Sequence, residues 1–425
     1  MIIHVVQPGE TAYSIAEYYG ISIDWLIREN GVAVPEEPVV GNTYVILFPE
    51  VVYTIQEGDT LEGIANMFNV TVMELLRNNT YLADQENLFV GDTLVIRYTD
   101  TRIGQIAVNG YAYPFINLNT LRKTLPFLTY LTIYSYTITQ EGELVDIEDE
   151  PVIQMAKDYG VAPIMLLLLE DMVYMGNTFI KSLLMNMEVQ NQFIENIINV
   201  IERKGYMGLT VDTPYIYPEF RGAYIGFMNT LTKRLKERGL IVFNLLSPSS
   251  FELITEFIYS VPEITELSSV VDGTILLTFG LASINYIPTV AINFQTREEI
   301  VSLLTSRIPP EKLQIGISTI GYRWQLPYQA GVSVGNAISN TGAVQIARDF
   351  DIAIQYDDIT ESAYFVYEES GREYLVRFVD ARSAHAYLQL ANQENVYGIA
   401  VWNIMEYFYD FWLIINSLYE IIKII

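Results

Sequence analysis

Short apolar runs recur along the chain from about residue 101 onward, and amphipathic stretches such as residues 189–204 separate many of them. Strands that alternate with helices in this way are typical of parallel sheets. Eight such units over about 320 residues predict an α/β fold, a (β/α)8 TIM barrel in residues 101–425. The predicted strands are residues 105–113, 130–136, 162–169, 207–212, 240–246, 274–279, 314–318 and 398–402.

One segment interrupts this alternation between the seventh and eighth strands. Residues 324–395 are too many for a single crossover helix, and they contain the strand-like runs 363–367 and 373–379. We therefore expect a small α+β insertion over one side of the barrel mouth.

The first hundred residues contain two copies of one pattern. A shift of 49 positions aligns residues 7–11 with residues 56–60. The second copy then has one inserted residue, after which Gly41 and residues 44–46 align with Gly91 and residues 94–96. Each copy has a short β run, a glycine turn, a helix starting after Thr11 or Thr60, a second helix and a final β run. The pattern predicts two βααβ modules, residues 1–49 and 50–99.

The amino-acid composition argues against several kinds of binding partner and functional site. With 24 Lys and Arg against 51 Asp and Glu, the net charge of −27 disfavours nucleic acid. There is no cysteine, and the two histidines, His4 and His385, lie far apart, so neither a metal site nor a cofactor is expected. The 31 tyrosines and the 51% hydrophobic content suggest apolar area covered in an assembly, either by self-assembly or by other proteins.

The chain ends bear on localisation. The N-terminus has no basic region followed by an apolar run and a cleavage site, so we expect synthesis in the cytoplasm without a secretory signal. Polar residues interrupt the apolar tail, residues 407–425, before a membrane-spanning length is reached. We interpret the tail as a buried helix.

The two N-terminal copies resemble the LysM domain through Gly-Glu-Thr and Gly-Asp-Thr followed by Ile-Ala, and through Val-Gly before the last β run. LysM domains bind peptidoglycan or chitin in a groove between the first β-α loop and the loop before the second strand. The resemblance implies grooves at residues 9–12 with 39–41 and at residues 58–61 with 89–91; a repeated fold without a ligand is the alternative. The implied glycan-binding residues are Gly9, Glu10, Thr11, Gly41, Gly58, Asp59, Thr60 and Gly91.

Residues 195–217, 316–328, 378–383 and 398–402, together with the order of the modules, resemble glycoside hydrolase family 18. The similarity extends to spore-associated members that degrade cortex fragments and carry two LysM modules. Such enzymes use one carboxylic acid to protonate the leaving oxygen, while the 2-acetamido carbonyl of the substrate attacks the anomeric carbon.

The family motif D-G-x-D-x-D-x-E keeps only one carboxylate here. Its four acidic positions fall on Met207, Thr210, Asp212 and Pro214. Pro214 occupies the position of the general acid and has no proton to deliver. The resemblance therefore implies a vestigial Asp212 and no catalytic residue.

Other family positions are changed as well. The sixth strand reads Leu277, Thr278, Phe279, Gly280 where relatives have Met-x-Tyr-Asp, and Arg323 and Met405 replace an Asp and a Gly. Changes at several steps of one mechanism indicate lost catalysis. Asp212 and Glu219 are the two candidate substitute acids. Asp212 is expected to lie deeper in the barrel than the glycosidic oxygen, and Glu219 is expected to lie in a surface loop.

A sugar-binding pocket remains possible at the barrel mouth. The resemblance places Trp402 at its floor, with Tyr111, Tyr215 and Tyr322 as candidate walls and Asp212 as a polar contact. The alternative is that these aromatic side chains only fill the mouth.

Two functions follow from these observations. The first is a peptidoglycan-binding protein with an inactive hydrolase-like barrel. The resemblance implies that it is deposited on the spore coat, cortex or exosporium, with other spore coat proteins or further copies of itself as partners. The second is an active N-acetylglucosaminidase that degrades cortex fragments during germination.

Overall fold

The computed structural model describes residues 1–85, 87–99, 102–139, 141–169, 178–213, 220–246, 262–277, 294–329 and 333–425. Two small modules come first, then a parallel barrel into which an antiparallel sheet is inserted.

Both modules have the predicted βααβ order. The first consists of β1 (Ile2–Val5), α1 (Ala12–Tyr19), α2 (Ile23–Glu29) and β2 (Thr43–Ile46). The second consists of β3 (Pro49–Thr54), α3 (Leu61–Phe68), α4 (Val72–Asn78), a 3-10 turn (Thr80–Asp84) and β4 (Thr93–Tyr98). The two strands of each module pair antiparallel. As predicted, Thr11 and Thr60 cap the first helices, because each hydroxyl accepts a backbone N–H three residues on.

Seven parallel strands begin the barrel. They are β5 (Gly104–Ala112), β6 (Tyr130–Tyr136), β7 (Ala162–Leu168), β8 (Gly208–Thr213), β9 (Ile241–Leu246), β10 (Gly273–Leu276) and β11 (Leu313–Ser318). Outside the strands lie α5 (Leu118–Thr124), α6 (Glu150–Asp158), α7 (Thr178–Met185), α8 (Met187–Lys204), α9 (Arg221–Lys236), α10 (Pro262–Val270) and α11 (Phe294–Thr305). Each strand starts and ends within one residue of its predicted position, except that the sixth strand ends at Leu276. Thr278 and Phe279, predicted to end that strand, lie outside the described residues.

The insertion is an antiparallel sheet with one helix against it. Its strands are β12 (Gly321–Gln325), β13 (Asn336–Ile338), β14 (Gln355–Asp357), β15 (Ser362–Glu369) and β16 (Arg372–Phe378), and its helix is α12 (Asn340–Asp349). The predicted bounds, 324–395, need correction. The sheet begins at Gly321 and ends at Phe378. The next element, α13 (Ala381–Gln393), packs mainly on the last helix of the barrel and makes fewer contacts with the inserted sheet.

The eighth strand, β17 (Gly398–Trp402), pairs with β11 on one side and with β5 on the other, so the parallel barrel is closed. The prediction of the tail was only partly right. Helix α14 (Tyr409–Leu418) is buried, but it ends at Leu418, and β18 (Tyr419–Ile421) then pairs with the start of β5. This pairing is a tertiary contact that the apolar pattern of the tail does not encode.

The modules are fixed to the barrel by buried contacts. The Thr43 hydroxyl of the first module donates a 3.1 Å hydrogen bond to Asp410 on α14. In the second module, Arg77 Nε donates to Asn416 Oδ1 at 3.1 Å. One apolar core cluster also runs from the first module into the barrel.

Candidate functional site

Asp212 lies on β8 near the carboxyl end of the barrel strands, where TIM barrels place their chemistry. Its side chain is almost fully buried. In the strand register its neighbours are Leu168 on β7 and Leu245 on β9, both apolar. Burial, and secondly the negative charge of Asp212, raise the pKa of Tyr111, which belongs to the apolar cluster inside the barrel. The carboxylate therefore faces the barrel interior.

The other positions of the acidic motif contribute no carboxylate around Asp212. Thr210 is fully buried, and Met207 packs against the interior cluster. Pro214, Tyr215 and Glu219 lie outside the described residues, as do residues 278–280. Within the described ranges, no group of three or more His, Cys, Asp or Glu side chains is placed to hold a metal ion.

Trp402, at the end of β17, lies in a group of aromatic rings. Its ring centroid is 5.1 Å from that of Tyr134, 5.6 Å from Tyr111 and 6.3 Å from Tyr113. Trp402, Tyr113 and Tyr134 are only partly buried. They therefore form an aromatic surface at the barrel mouth, of the kind that can stack against the C–H face of a sugar.

Two of the expected walls lie elsewhere. Tyr111 is fully buried, so it supports Trp402 from the interior and is not a wall. Tyr322 lies on β12 of the insertion, where its ring is 5.5 Å from that of Trp324. Sequence reasoning missed Tyr113 and Tyr134; side-chain alternation along a strand could have found Tyr113, two residues after Tyr111.

Two further replaced family positions have structural roles. Arg323 forms an ion pair with Glu369 and lies 3.9 Å from the ring centroid of Tyr374, both in the inserted sheet. Met405 accepts the backbone N–H of Tyr113 at its sulfur, 3.3 Å away. Arg323 therefore stabilises the inserted sheet, and Met405 stabilises the backbone at the barrel mouth.

The first loops of the two LysM modules are built alike. Glu10 Oε2 accepts the backbone N–H of Gln7, and Asp59 Oδ2 accepts that of Gln56, each at 2.7 Å. These carboxylates therefore close the turn in front of the first helix. The adjoining glycines Gly9 and Gly58 are exposed.

The second loops differ. Gly91 is exposed, whereas Gly41 is buried, because the backbone of Ile354 in the insertion lies against it. The interpretation of Gly41 as a glycan-binding residue is therefore corrected: its face is covered by another part of the same chain.

Two known protein families match the sequence over both N-terminal modules and over much of the barrel. The LysM domain matches residues 4–46 and 53–97, and glycosyl hydrolases family 18 matches residues 174–406. The chain is 28% identical over 423 residues to the cortical fragment-lytic enzyme of Bacillus anthracis, with 98% of each chain covered. It is 24% identical over 410 residues to the putative sporulation-specific glycosylase YdhD of Bacillus subtilis, with 95% of each covered.

Solved structures have the same overall fold. The spore cortex-lytic enzyme SleL of Bacillus cereus matches with a TM-score of 0.79 and 26% identity, covering 99% of this chain and 98% of that one. SleL of Bacillus megaterium QM B1551 also gives a TM-score of 0.79, at 24% identity, covering 100% of this chain and 99% of that one. None of the described helices combines the length and the apolar character needed to cross a membrane. The chain belongs to glycosyl hydrolases family 18, with two LysM domains ahead of its barrel.

Proposed function

We propose that the protein binds N-acetylglucosamine-containing glycans of spore peptidoglycan and that its barrel holds them without cleaving them. The observation that carries this proposal is Pro214 in the position of the general acid. A general acid contributes about 10²–10⁴ in rate. The Tyr and Asp that relatives carry on the sixth strand, where they help to hold the reacting acetamido group, are also replaced here. The reaction would therefore lack its usual proton donor and part of the support for its nucleophile.

The surroundings of Asp212 support this proposal. Its register partners on both neighbouring strands are leucines, so the paired positions of β7 and β9 supply no second carboxylate. The aromatic surface formed by Trp402, Tyr113 and Tyr134 offers stacking area, and such a surface needs no acid to bind a sugar.

The second candidate is an N-acetylglucosaminidase that acts on spore cortex fragments. The comparisons favour this alternative over a purely binding role, since relatives named cortical fragment-lytic enzyme match nearly the whole chain. It requires a substitute acid, for which Asp212 is the candidate that lies within the described residues.

Incubation of the full chain with soluble cortex fragments tests the two candidates against each other. The cortical fragment-lytic enzyme of Bacillus cereus, assayed in parallel, serves as the positive control. We expect the chain to co-sediment with insoluble peptidoglycan and to release no new reducing ends over a long incubation. Reducing ends that Asp212→Asn abolishes would establish the enzyme instead.

The proposed site of action is the spore. Immunogold labelling of sporulating cells is expected to find the protein at the coat, the cortex or the exosporium. Label confined to the mother-cell cytoplasm of mature sporangia would contradict this localisation.

A further inference from the structure

The two LysM modules present the same loop to different surroundings. The loop before the second strand contains residues 39–41 in the first module and residues 89–91 in the second. The repeat makes Val39 and Phe89 equivalent positions, and likewise Val40 and Val90. Because the positions are equivalent, a difference in burial within a pair shows whether another part of the chain covers that groove.

In the first module, this loop is docked on the insertion. The backbone N–H of Ile354 donates a 2.9 Å hydrogen bond to the carbonyl oxygen of Val40. Val39 is only 7% exposed and belongs to the apolar core of the inserted sheet, with Phe365 and Phe378. The loop is thus part of a packed interior and has no free face for a ligand.

The glycines of the two loops give a matched comparison. A methyl group built on Gly41 would lie 1.9 Å from the carbonyl oxygen of Ile354, whereas one built on Gly91 would meet no atom within 4 Å. The Arg382 guanidinium also reaches the carbonyl oxygen of Gly41, at 3.4 Å. The first groove is therefore closed by backbone, which cannot move aside as a flexible side chain can.

In the second module, the same loop is open. Phe89 is 57% exposed and Val90 is 66% exposed, whereas Val39 in the first module is buried. The first loop is open in both modules, since a methyl group built on Gly9 or Gly58 would meet no atom within 4 Å, so the modules differ in the second loop. An exposed aromatic ring beside open backbone suits a pyranose, which presents C–H patches and hydroxyl groups together.

We infer that the two LysM modules have different roles: the second binds the glycan, with Phe89 as its stacking residue, and the first holds the insertion on the barrel. This inference rests on the proposed glycan binding and adds which copy performs it. With only one groove on the glycan, the two modules gain no affinity from binding the same glycan strand together.

Single-cysteine labelling tests the inference directly, because the natural chain contains no cysteine. Phe89→Cys and Val39→Cys, each made in the full chain, form a matched pair at equivalent positions. A maleimide probe is expected to modify Phe89→Cys at the rate of a free thiol and Val39→Cys at least about 100-fold more slowly, since burial makes reaction depend on local opening. For protection by ligand the cysteine is placed at Val90, which is exposed and leaves the Phe89 ring in place. Soluble N-acetylglucosamine oligomers should slow the labelling of Val90→Cys and leave that of Val39→Cys unchanged.

Equal labelling rates at the two positions would overturn the closure of the first groove. If the wild-type chain sediments with peptidoglycan while the oligomers leave the labelling of Val90→Cys unchanged, the assignment of the second groove fails but glycan binding stands. If the wild-type chain does not sediment at all, the proposed function fails together with the glycan role of Phe89, and the labelling rates still decide whether the first groove is closed.

An affinity measurement completes the test. Phe89→Ala is expected to weaken sedimentation with peptidoglycan about tenfold, the loss of one stacked ring. Tyr13→Ala, which removes an aromatic ring that is 49% exposed beside the first groove, should leave the affinity unchanged. A loss caused by Tyr13→Ala and not by Phe89→Ala would reverse the assignment.

Discussion

Arg77 of the second LysM module and Asn416 of helix α14 share a buried hydrogen bond of 3.1 Å across the boundary between module and barrel. Asn416 continues the contact by donating to Asn78 Oδ1 at 2.8 Å, and Arg77 Nη1 donates to the carbonyl oxygen of Pro126 at 3.1 Å. Because these groups are buried, each bond that is removed leaves a polar atom without a partner. The second module is thus fixed to the barrel by its helix α4, while its loop of residues 89–91 remains exposed.

Arg77→Ala is expected to lower the free energy of unfolding by about 2–4 kcal/mol, because it removes charge-assisted hydrogen bonds and leaves buried acceptors unpaired. Urea unfolding followed by circular dichroism measures this loss. Arg97→Ala is the matched control, since Arg97 belongs to the same module but is exposed and should cost no more than about 0.5 kcal/mol. Equal losses in the two variants would show that the buried contact with Asn416 does not hold the module.

Removal of residues 1–99 is expected to destabilise the barrel, because the truncation uncovers several buried surfaces at once. The insertion would lose Val39 from its core, and α14 would lose the partners of Asp410 and Asn416. We expect the melting temperature to fall by about 10 °C or more, or the truncated protein to aggregate. A truncated barrel that melts at the temperature of the full chain would show that the modules are only appended to it.

Asp410 makes stability depend on pH. Burial, and secondly the charge of Asp380, raise the pKa of the Asp410 carboxyl to about 7. The folded state therefore keeps a proton that the unfolded chain releases above about pH 4. The stability contributed by this proton is fully present below about pH 4 and is lost as the pH rises through 7.

Asp410→Asn should flatten this dependence, because the amide is neutral at every pH and still offers an oxygen to the Thr43 hydroxyl. Between pH 5 and 7 the free energy of unfolding of the wild type should fall by on the order of 3 kcal/mol more than that of the variant. Chemical unfolding at several pH values provides the measurement. Buried Glu29, whose pKa burial also raises to about 7, adds a slope of the same sign, so Glu29→Gln serves as an independent comparison. Parallel curves for wild type and Asp410→Asn would contradict the buried proton.

The barrel strands were predictable because each is a continuous apolar run that a parallel sheet buries on both faces. The helix caps at Thr11 and Thr60 followed from local chemistry in the same way. The strand Tyr419–Ile421 was not predictable, since its three residues become a strand only by pairing with β5, far away in the chain.

The different surroundings of the two LysM modules also lie beyond sequence reasoning. Val39 and Phe89 occupy the same position of the repeat, and nothing near Val39 in the chain indicates that Ile354 will cover its loop. Equally, the resemblance placed Tyr111 as a wall of the pocket, and nothing near Tyr111 in the chain indicates that Trp402 will lie against it. In both cases the contact that decides the role of the residue joins positions more than 290 residues apart in the chain.

Trp402→Ala tests whether the barrel mouth still binds sugar. In a Phe89→Ala background, where the LysM contribution is reduced, we expect this substitution to weaken binding of N-acetylglucosamine oligomers about tenfold, because it removes the central ring of the aromatic surface. Tyr111→Phe is the control. Tyr111 is fully buried, so loss of its hydroxyl should leave the affinity of the mouth unchanged. Isothermal titration calorimetry measures both variants.

The result separates a retained pocket from a filled one. If the aromatic rings only fill the mouth, Trp402→Ala will lower the melting temperature and leave the affinity for oligomers as it was. Trp402→Phe distinguishes the two effects further, since it keeps an aromatic face beside Tyr113 and Tyr134 and should recover most of the lost affinity. An affinity that falls equally in the Ala and Phe variants would mean that stacking on this ring is not what holds the sugar.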